Sequence, residues 1–348
     1  MMTCTPREIC LYLAWSDRKG KTAVHDSTCP EIGIRQPRCS CPRRLAHGTL
    51  QVKISQLKSI FQSINRSGSW DSGHSRGNPV DSKEVAIYTQ QILVEQSKGH
   101  CMVKQAKPVF LPKLTLISMY IDRELLDLER ARTSNRSLRS FFVLARDQAL
   151  FKLMFFGGDR ASDAGTMLCQ EIKTLPDQTG YMIRHTWGKT SRSSKPNIFT
   201  LFRSENDMIC PVKGLERYIA IGKNLNTDLT VGYLFRPLGT QCTVLDQPVS
   251  HAVIHDRLKF YLATLGIYEG ETPHSLRAGC AITLRALSQA QNEEAIMDHV
   301  GWRSSASAQH YTRSATRDQA KTLSSAMAHM EDKAPLFVED TVLPHSFT

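Results

Sequence analysis

The stretch Thr272-Pro-His-Ser-Leu-Arg277 holds the pattern from which the fold of this chain can be inferred. Thr272 can cap a helix, and Pro273 suits the first helical position. His274 and Arg277 are three residues apart, so they share a face at the helix end where backbone N–H groups and the helix dipole attract a phosphate. The stretch therefore predicts an anion-binding helix N-terminus.

A second stretch downstream adds a nucleophile. Gly301-Trp-Arg-Ser-Ser-Ala-Ser-Ala-Gln-His-Tyr311 places a tyrosine nine residues after a Gly-Trp pair, and Ser304 or Ser305 can cap the short segment between them. A phosphate-binding helix followed by one positioned tyrosine indicates transfer of a phosphoryl group to a phenol oxygen.

Charge and composition restrict the class of partner. The 348 residues include 44 Lys and Arg against 33 Asp and Glu, which gives a formal net charge of +11. Such an excess suits a polyanion, nucleic acid before membrane. No apolar run reaches the ~18–20 residues that a membrane span needs, and Leu11–Trp15 is too short for a secretory signal. We therefore expect an intracellular protein, nuclear in a eukaryote, without membrane association.

The first 44 residues are rich in cysteine and basic residues. Of the ten cysteines, five lie here, and we expect reduced thiols. His25, Cys29, Cys39, Cys41 and His47 could supply four zinc ligands, but neither the gap from Cys29 to Cys39 nor the Cys39-Ser-Cys41 spacing matches a standard zinc finger. We therefore predict no metal, with zinc as the alternative, and a partly ordered arm whose arginines contact DNA phosphates: Arg35, Arg38, Arg43 and Arg44.

Two helices are predicted next. Apolar residues recur at spacings of three and four over residues 49–66, and a second apolar stripe runs from about Ser82 to Ser97. They predict a small all-α unit that ends near residue 100. The basic stretch that follows contains Lys104 and Lys107 and is a candidate linker lying on DNA.

The second domain begins near Phe110, and the chain as a whole is predicted to be mostly α with a small antiparallel β-sheet, an α+β fold. A long helix is expected to end at Gly157-Gly158, directly before Asp159-Arg-Ala-Ser-Asp163. Residues 180–187 and 197–202 predict a β-hairpin with a basic tip that carries Lys189, Arg192 and Lys195. Apolar spacing predicts helices at about residues 111–125, 138–156, 211–223 and 250–266.

In this order the residues resemble those of the tyrosine recombinases, also called phage-type integrases, over roughly residues 49–325. Gly158-Asp-Arg160 is similar to the family's first box, whose arginine binds the scissile phosphate, and Asp163 matches the acid that supports this arginine. Lys189 stands where the family has a lysine on its hairpin. His274 and Arg277 match the His-x-x-Arg box.

The resemblance extends to the second stretch and to the linker. Gly301-Trp302 occupies the Gly-His/Trp position, with Trp in place of the commoner His, and Tyr311 falls where the nucleophile belongs. Lys104–Ala106 resembles the linker motif of Cre-like members. The helical N-terminal layout and the Cys-rich arm resemble recombinases of eukaryotic mobile elements, such as the Crypton or DIRS-like group.

This resemblance implies an architecture and an assembly. The expected segments are a Cys-rich basic arm (1–44), a helical core-binding, SAM-like DNA-binding domain (45–103), a linker (104–109), the recombinase catalytic domain (110–325) and a tail (326–348). The two domains would form a C-shaped clamp on double-stranded DNA. Family members act as homotetramers on two DNA sites, and residues 316–331 are expected to form the C-terminal helix that passes to a neighbour.

The resemblance also implies roles for the individual side chains. Arg160 and Arg277 would neutralise both non-bridging oxygens of a phosphodiester with permanently charged, fork-shaped donors. Lys189 would protonate the 5′-hydroxyl leaving group. His274 would manage the tyrosine proton or donate to the phosphate, and Trp302 would donate through its indole N–H.

The implied function is that of a site-specific DNA recombinase which cleaves and rejoins strands through a covalent 3′-phosphotyrosyl link on Tyr311. The link conserves bond energy, so no metal, ATP or other cofactor is expected. Two other functions stay open at this point. One is a non-catalytic DNA-binding or regulatory protein derived from a mobile-element recombinase. The other is a zinc-dependent nuclease, which rests on the N-terminal Cys and His residues alone.

Overall fold

The computed structural model describes residues 3–32, 34, 38–99, 107–130, 135–186, 196–239, 243–287, 293–302 and 305. The chain divides into two compact units, Met1–Gln105 and Ala106–Thr348, which are described one at a time. No helix in these ranges is long and apolar enough to cross a membrane.

The first unit is built from three helices and a two-stranded ribbon. Pro6 occupies the first turn of helix α1, and the Glu8 carboxylate accepts from the Thr5 backbone N–H at 2.8 Å, so the helix start is well capped. Ser82 caps α3 by accepting from the Val85 N–H at 3.2 Å. In chain order the elements are α1 (Pro6–Asp17), β1 (Thr22–Ala23), β2 (Arg43–Arg44), α2 (His47–Ser63), a 3₁₀ turn (Pro79–Asp81) and α3 (Lys83–Lys98).

Residues 1–44 are predicted to form a partly ordered arm, but helix α1 within this segment is packed into the core of the first unit. Ile9 and Leu13 are buried one helical turn apart on α1. They belong to one hydrophobic cluster with Leu50 and Phe61 of α2 and Ile92 of α3. The i, i+4 spacing of the two α1 residues gives that helix an apolar face, which requires burial as much as the predicted helices do.

The ribbon that follows α1 gives Arg44 two carboxylate partners within the unit, and its predicted phosphate contact stays a prediction. Its guanidinium lies 3.3 Å from both Asp17 and Glu95, so its charge is already compensated within the unit. Arg43 is exposed and donates to the Lys21 carbonyl at 3.3 Å. At Gly20 a Cβ would lie 1.7 Å from the Arg44 carbonyl carbon, so this close passage of two backbones requires glycine.

The second unit is α+β, as predicted. Its main hydrophobic cluster joins helices at residues 111–130, 135–156, 211–224 and 251–264 with the inner face of a three-stranded antiparallel sheet, whose strands pair in chain order. The elements are α4 (Leu111–Arg130), α5 (Asn135–Phe156), α6 (Ala161–Gly165), a 3₁₀ turn (Cys169–Glu171), β3 (Ile172–Thr174), β4 (Gly180–His185), β5 (Asn197–Phe202), α7 (Pro211–Asn224), α8 (His251–Thr264), α9 (Pro273–Leu287) and α10 (Glu293–Val300).

The predicted hairpin is confirmed at its base. β4 and β5 pair from Gly180 with Phe202 to His185 with Asn197, so β4 ends two residues before the predicted limit. Gly180 lies close to the Leu201 carbonyl, where a Cβ would be only 2.1 Å away. The hairpin tip, residues 187–195, lies outside the described residues. The sheet therefore fixes where the two arms of the hairpin enter and leave it.

The contribution of α1 to the first unit can be tested by truncating its buried leucine. We expect Leu13→Ala to lower the free energy of unfolding of this unit by about 2–5 kcal/mol, because it opens a cavity in a shared core. Leu11→Ala on the same helix, where the side chain is 61% exposed, should change it by less than about 0.5 kcal/mol. Hydrogen exchange in peptides from α2 and α3 of the full chain measures both. If hydrogen exchange is unchanged in Leu13→Ala, α1 does not contribute to the shared core, and the predicted partly ordered arm would stand.

Candidate active site

Arg277 is the most deeply buried charge of the candidate site. It lies in the second turn of α9, 1% exposed, and one guanidinium nitrogen (Nη1) donates to the Gly158 carbonyl. Its Nε and Nη2 atoms are buried and have no hydrogen-bond partner among the described residues. An unsatisfied buried donor costs free energy, so two on one guanidinium indicate a place for an acceptor from outside the unit.

The electrostatics around Arg277 favour an anion there. Burial, followed by the positive charge of Arg160, lowers the pKa of Arg277 to about 10. Both causes penalise the charged form, and a bound anion would relieve both. A phosphodiester carries one negative charge and two non-bridging oxygens that accept hydrogen bonds. It can therefore supply the acceptors that Arg277 Nε and Nη2 lack.

Arg160 is brought to the same place by the turn after α5. Gly158 adopts φ +62°, a conformation that favours glycine, and a Cβ there would lie 3.1 Å from Val300. Arg160 then precedes α6, and its Nη1 lies 3.3 Å from Asp163 Oδ2. The predicted arginine–acid contact is therefore present. The Arg160 side chain is 22% exposed, so the group can still reach a ligand.

Trp302, which follows α10, packs against Arg277. Helix α10 ends at Val300, and Gly301 takes φ +71°. The backbone N–H of Trp302 then donates to the Met297 carbonyl at 2.7 Å. This cap turns the indole inward, where it is 5% exposed and its ring centre lies 5.5 Å from the Arg277 guanidinium. Trp302 therefore helps to fix the position of the buried charge.

His274 and Arg277 lie three residues apart on α9, so they share a face of the helix as predicted. His274 is exposed at the start of the helix, whereas Arg277 is buried. Thr272 and Ser275 bond to each other at this helix start. The Thr272 N–H donates to Ser275 Oγ at 2.9 Å, and the Ser275 N–H donates to the Thr272 carbonyl at 2.8 Å.

The structure thus assembles Arg160, Asp163, Arg277 and Trp302, with His274 at the edge. The remaining predicted residues of the site lie outside the described residues: Lys189 and Tyr311, with the DNA-contact candidates Lys104, Arg192 and Lys195. Lys107 is described, and its amine lies 3.0 Å from Glu269 with both side chains about half exposed. Such a surface pair is weak, so it leaves Lys107 able to exchange partners.

A histidine that the sequence did not single out lies behind the arginines. His185 Nε2 is 2.8 Å from Asp159 Oδ2, and both side chains are buried. Burial lowers the pKa of His185, but the carboxylates of Asp159, Glu171 and Asp163 outweigh it and raise the pKa overall. The two residues are 26 positions apart, so no local spacing pattern indicates their contact. The one signal in the sequence is the position of Asp159, an acid directly before Arg160.

In the first unit, four side chains converge in spite of their unusual spacing. One ligand atom each from His25, Cys29, Cys39 and Cys41 lies within 4.8 Å of all the others. His25 Nδ1 is 3.3 Å from Cys29 Sγ and 3.5 Å from Cys39 Sγ. Those separations fit the edges of a tetrahedron with Zn–N of ~2.0 Å and Zn–S of ~2.3 Å. The fifth candidate, His47, contacts Gln51 instead.

Comparison with known proteins identifies the class of this second unit. The sequence model of the phage integrase family matches residues 140–318, a little more than half of the chain. The chain therefore belongs to the phage integrase family, the tyrosine recombinases, as its motifs predicted. The match covers the described site residues Arg160, Asp163, Arg277 and Trp302 and extends over Tyr311.

The first unit has relatives of its own. The ALOG domain matches residues 1–93. Protein LIGHT-DEPENDENT SHORT HYPOCOTYLS 5 of Arabidopsis thaliana is 32% identical over 98 residues, which cover 28% of this chain and 50% of that protein. Protein G1-like5 of Oryza sativa subsp. japonica is 27% identical over 98 residues, 28% of this chain and 45% of that protein. The chain spans about half the length of the curated relatives it matches.

Among solved structures, the chain is similar to the XerH site-specific recombinase bound to palindromic difH substrate in a post-cleavage complex. The TM-score is 0.55 at 14% sequence identity, over 93% of this chain and 73% of that chain. At this identity the likeness shows the fold, and it agrees with the family assignment.

The incomplete pairing of Arg277 has a measurable cost. We expect Arg277→Met to raise the free energy of unfolding by about 1–2 kcal/mol, because it replaces an uncompensated buried charge with an apolar group of similar length. Arg146→Met is the matched control. Arg146 is equally buried but bonded to Asp147 at 2.7 Å, so its loss should cost about 3–5 kcal/mol. Urea unfolding measures both, and a loss of stability in Arg277→Met as large as the control's would contradict the open site.

Proposed function

We propose that this protein is an active site-specific DNA recombinase that cleaves and rejoins double-stranded DNA through Tyr311. The observation that carries the proposal is Arg277, a buried guanidinium with two unsatisfied nitrogens beside a second arginine. A structural role alone does not explain two buried donor nitrogens without an acceptor among the described residues. A DNA phosphate supplies the missing charge and the missing acceptors.

The reaction follows from the charges that the site holds. Arg160 and Arg277 bind the non-bridging oxygens and spread the negative charge that grows as a fifth oxygen approaches phosphorus. The Tyr311 oxygen forms the new bond to phosphorus while the bond to O5′ breaks. Lys189 donates the proton that the leaving O5′ requires, and His274 takes or shares the phenol proton. Trp302 holds Arg277 and offers an indole N–H.

The first unit is the DNA-recognition module in this proposal. Its ALOG match, together with a recombinase unit in one chain, supports origin in a eukaryotic mobile element of the Crypton or DIRS-like group. Such an enzyme acts on genomic DNA, which places it in the nucleus. Two DNA sites must be cut and exchanged, so we propose a homotetramer, with residues 316–331 as the segment exchanged between neighbours.

A covalent adduct tests the proposal. Duplex DNA selected by the protein from a random pool should form a denaturation-resistant protein–DNA adduct with wild type. Tyr311→Phe should bind the same DNA with unchanged affinity and form none, because the attacking oxygen is gone. Arg277→Ala should reduce the adduct rate by about 10²–10³-fold, the cost of one transition-state donor.

The outcomes separate the two functions that the sequence left open. Tight binding by wild type without an adduct would favour a non-catalytic DNA-binding protein. An adduct that persists in Tyr311→Phe would remove the assignment of the nucleophile. Equal activity in the presence of a metal chelator would exclude the zinc-dependent nuclease.

We also propose that His25, Cys29, Cys39 and Cys41 hold a structural zinc ion in the first unit. The convergence of one imidazole and three thiols within 4.8 Å supports it, since sites with four such ligands are closed and structural. The loop that carries the cysteines connects β1 to β2, so the ion would fasten the ribbon that places Arg44 against α1 and α3. This replaces the prediction of no metal.

Metal analysis tests the zinc proposal. The purified full chain should contain one zinc ion, and Cys39→Ser should lose it, because three ligands bind far more weakly than four. Cys10→Ser, a half-buried thiol on α1 outside the cluster, is the control and should retain zinc. Removal of zinc should speed hydrogen exchange in peptides of α1 and α3. If the purified protein contains no zinc and a chelator does not change its hydrogen exchange, the proposed zinc site is wrong.

A further inference from the structure

We propose that His185 is a positioning residue which, through Asp159, holds the loop that carries Arg160 and the carbonyl that binds Arg277. The inference rests on the proposed recombinase function and assigns a residue to it that the family motifs do not contain. It concerns described residues alone: the base of the β4–β5 hairpin, the loop after α5 and the start of α6.

Three consecutive residues of that loop are each fixed by a different partner. The Gly158 carbonyl accepts from Arg277, the Asp159 carboxylate pairs with His185 at 2.8 Å, and Arg160 lies 3.3 Å from Asp163. The middle bond is the only one of the three that connects the loop to the sheet. Because Gly158 has a left-handed backbone and Arg160 an extended one, the position of Asp159 determines the direction in which both neighbours point.

His185 is itself held in place. It is the last residue of β4, 3% exposed, and its ring lies 6.1 Å from Phe199 of β5. Its Nδ1 is buried without a hydrogen-bond partner among the described residues, and the nearest carboxylate oxygen, Glu171 Oε2, is 3.7 Å away. Glu171 in turn accepts from the Thr186 N–H and hydroxyl at 2.6 Å. The histidine therefore sits between two anchored carboxylates.

The opposite strand makes a matching connection. Asn197 is the ladder partner of His185, and its side chain lies against Gly301, where a Cβ would be 2.8 Å from Asn197 Nδ2. Gly301 is the residue before Trp302. The last ladder pair of the hairpin therefore contacts the Arg160 loop on one side and the turn that presents Trp302 on the other.

The protonation state of His185 controls the strength of this connection. The charged neighbours that act on it most are the carboxylates of Asp159, Glu171 and Asp163. Two cations share these carboxylates: Arg160 pairs with Asp163, and Arg277 interacts with Asp159 and Asp163. As the carboxylates raise the pKa of His185, the imidazolium and its stabilising effect are present at low pH. They are lost as pH rises through that pKa, which lies above the ordinary value of 6.5. Neutral His185 keeps a hydrogen bond to Asp159 but loses the ion pair.

Chemically altered DNA distinguishes positioning of the arginines from other effects. A methylphosphonate at the scissile position removes the negative charge of the phosphate, so the placement of the arginines matters less. A 5′-bridging phosphorothiolate provides a leaving group that needs no proton, so the placement of Lys189 matters less. Adduct rates on these two substrates and on normal DNA are measured for wild type, His185→Leu, His185→Gln and the control Ile198→Thr, an exposed neighbour on β5.

On normal DNA we expect His185→Leu to react about 10²-fold more slowly than wild type at unchanged DNA affinity, the effect of a small misplacement of catalytic groups. On the methylphosphonate the deficit should shrink below tenfold, and on the phosphorothiolate it should persist. His185→Gln should recover part of the rate on normal DNA, and it should lack the decline that we expect for wild type as pH rises through the raised pKa of His185. Ile198→Thr should behave as wild type on every substrate.

Other outcomes overturn the proposal in different ways. An equal deficit of His185→Leu on all three substrates would mean a merely structural residue, and rescue on the phosphorothiolate alone would mean that it serves Lys189. If wild type gives no adduct at all, the recombinase function fails, and the connection is read from hydrogen exchange instead. The peptide covering residues 157–163 should then exchange faster in His185→Leu than in His185→Gln, and equal exchange would remove the positioning role.

Discussion

The burial of the Arg277 guanidinium is the constraint around which the second unit is arranged, since among the described residues one of its three nitrogens has a hydrogen-bond partner. A permanent charge in a dry interior needs rigid neighbours, because any relaxation toward water would lower its cost. Gly158 supplies one carbonyl, Trp302 supplies an aromatic face, and Arg160 adds a second charge that makes an empty site less favourable still. An anion that binds there relieves this unfavourable free energy, which therefore strengthens its binding.

Much of this could be predicted from the sequence. The motif order led to the family, and apolar spacing located the long helices and the base of the hairpin to within a few residues. Local patterns suffice for these features because helical periodicity and a glycine at a turn can both be recognised within a short stretch of sequence. The sequence also paired Arg160 with Asp163, since both belong to one turn.

Contacts between distant parts of the chain could not be predicted in this way. His185 and Asp159 meet because the sheet packs beside the loop after α5, and neither residue carries a motif. The His and Cys cluster was discounted on its spacing, yet a loop between two short strands brings the four residues together at any spacing that the loop can span. Helix α1 was missed because its cysteines and charges obscured an apolar face of two residues, Ile9 and Leu13. The ion pairs of Arg44 with Asp17 and Glu95 could not be predicted either, because these partners are remote in sequence.

Gly158 determines how the parts of this site can move relative to one another. Its bare Cα lies against Val300, and a side chain there would also approach Cys280, so the loop of the first arginine and the helices carrying the rest of the site meet without a gap. A displacement of the loop that carries Arg160 is therefore transmitted to α9 and α10. The two halves of the site, far apart in sequence, can shift only together, as one mechanical body.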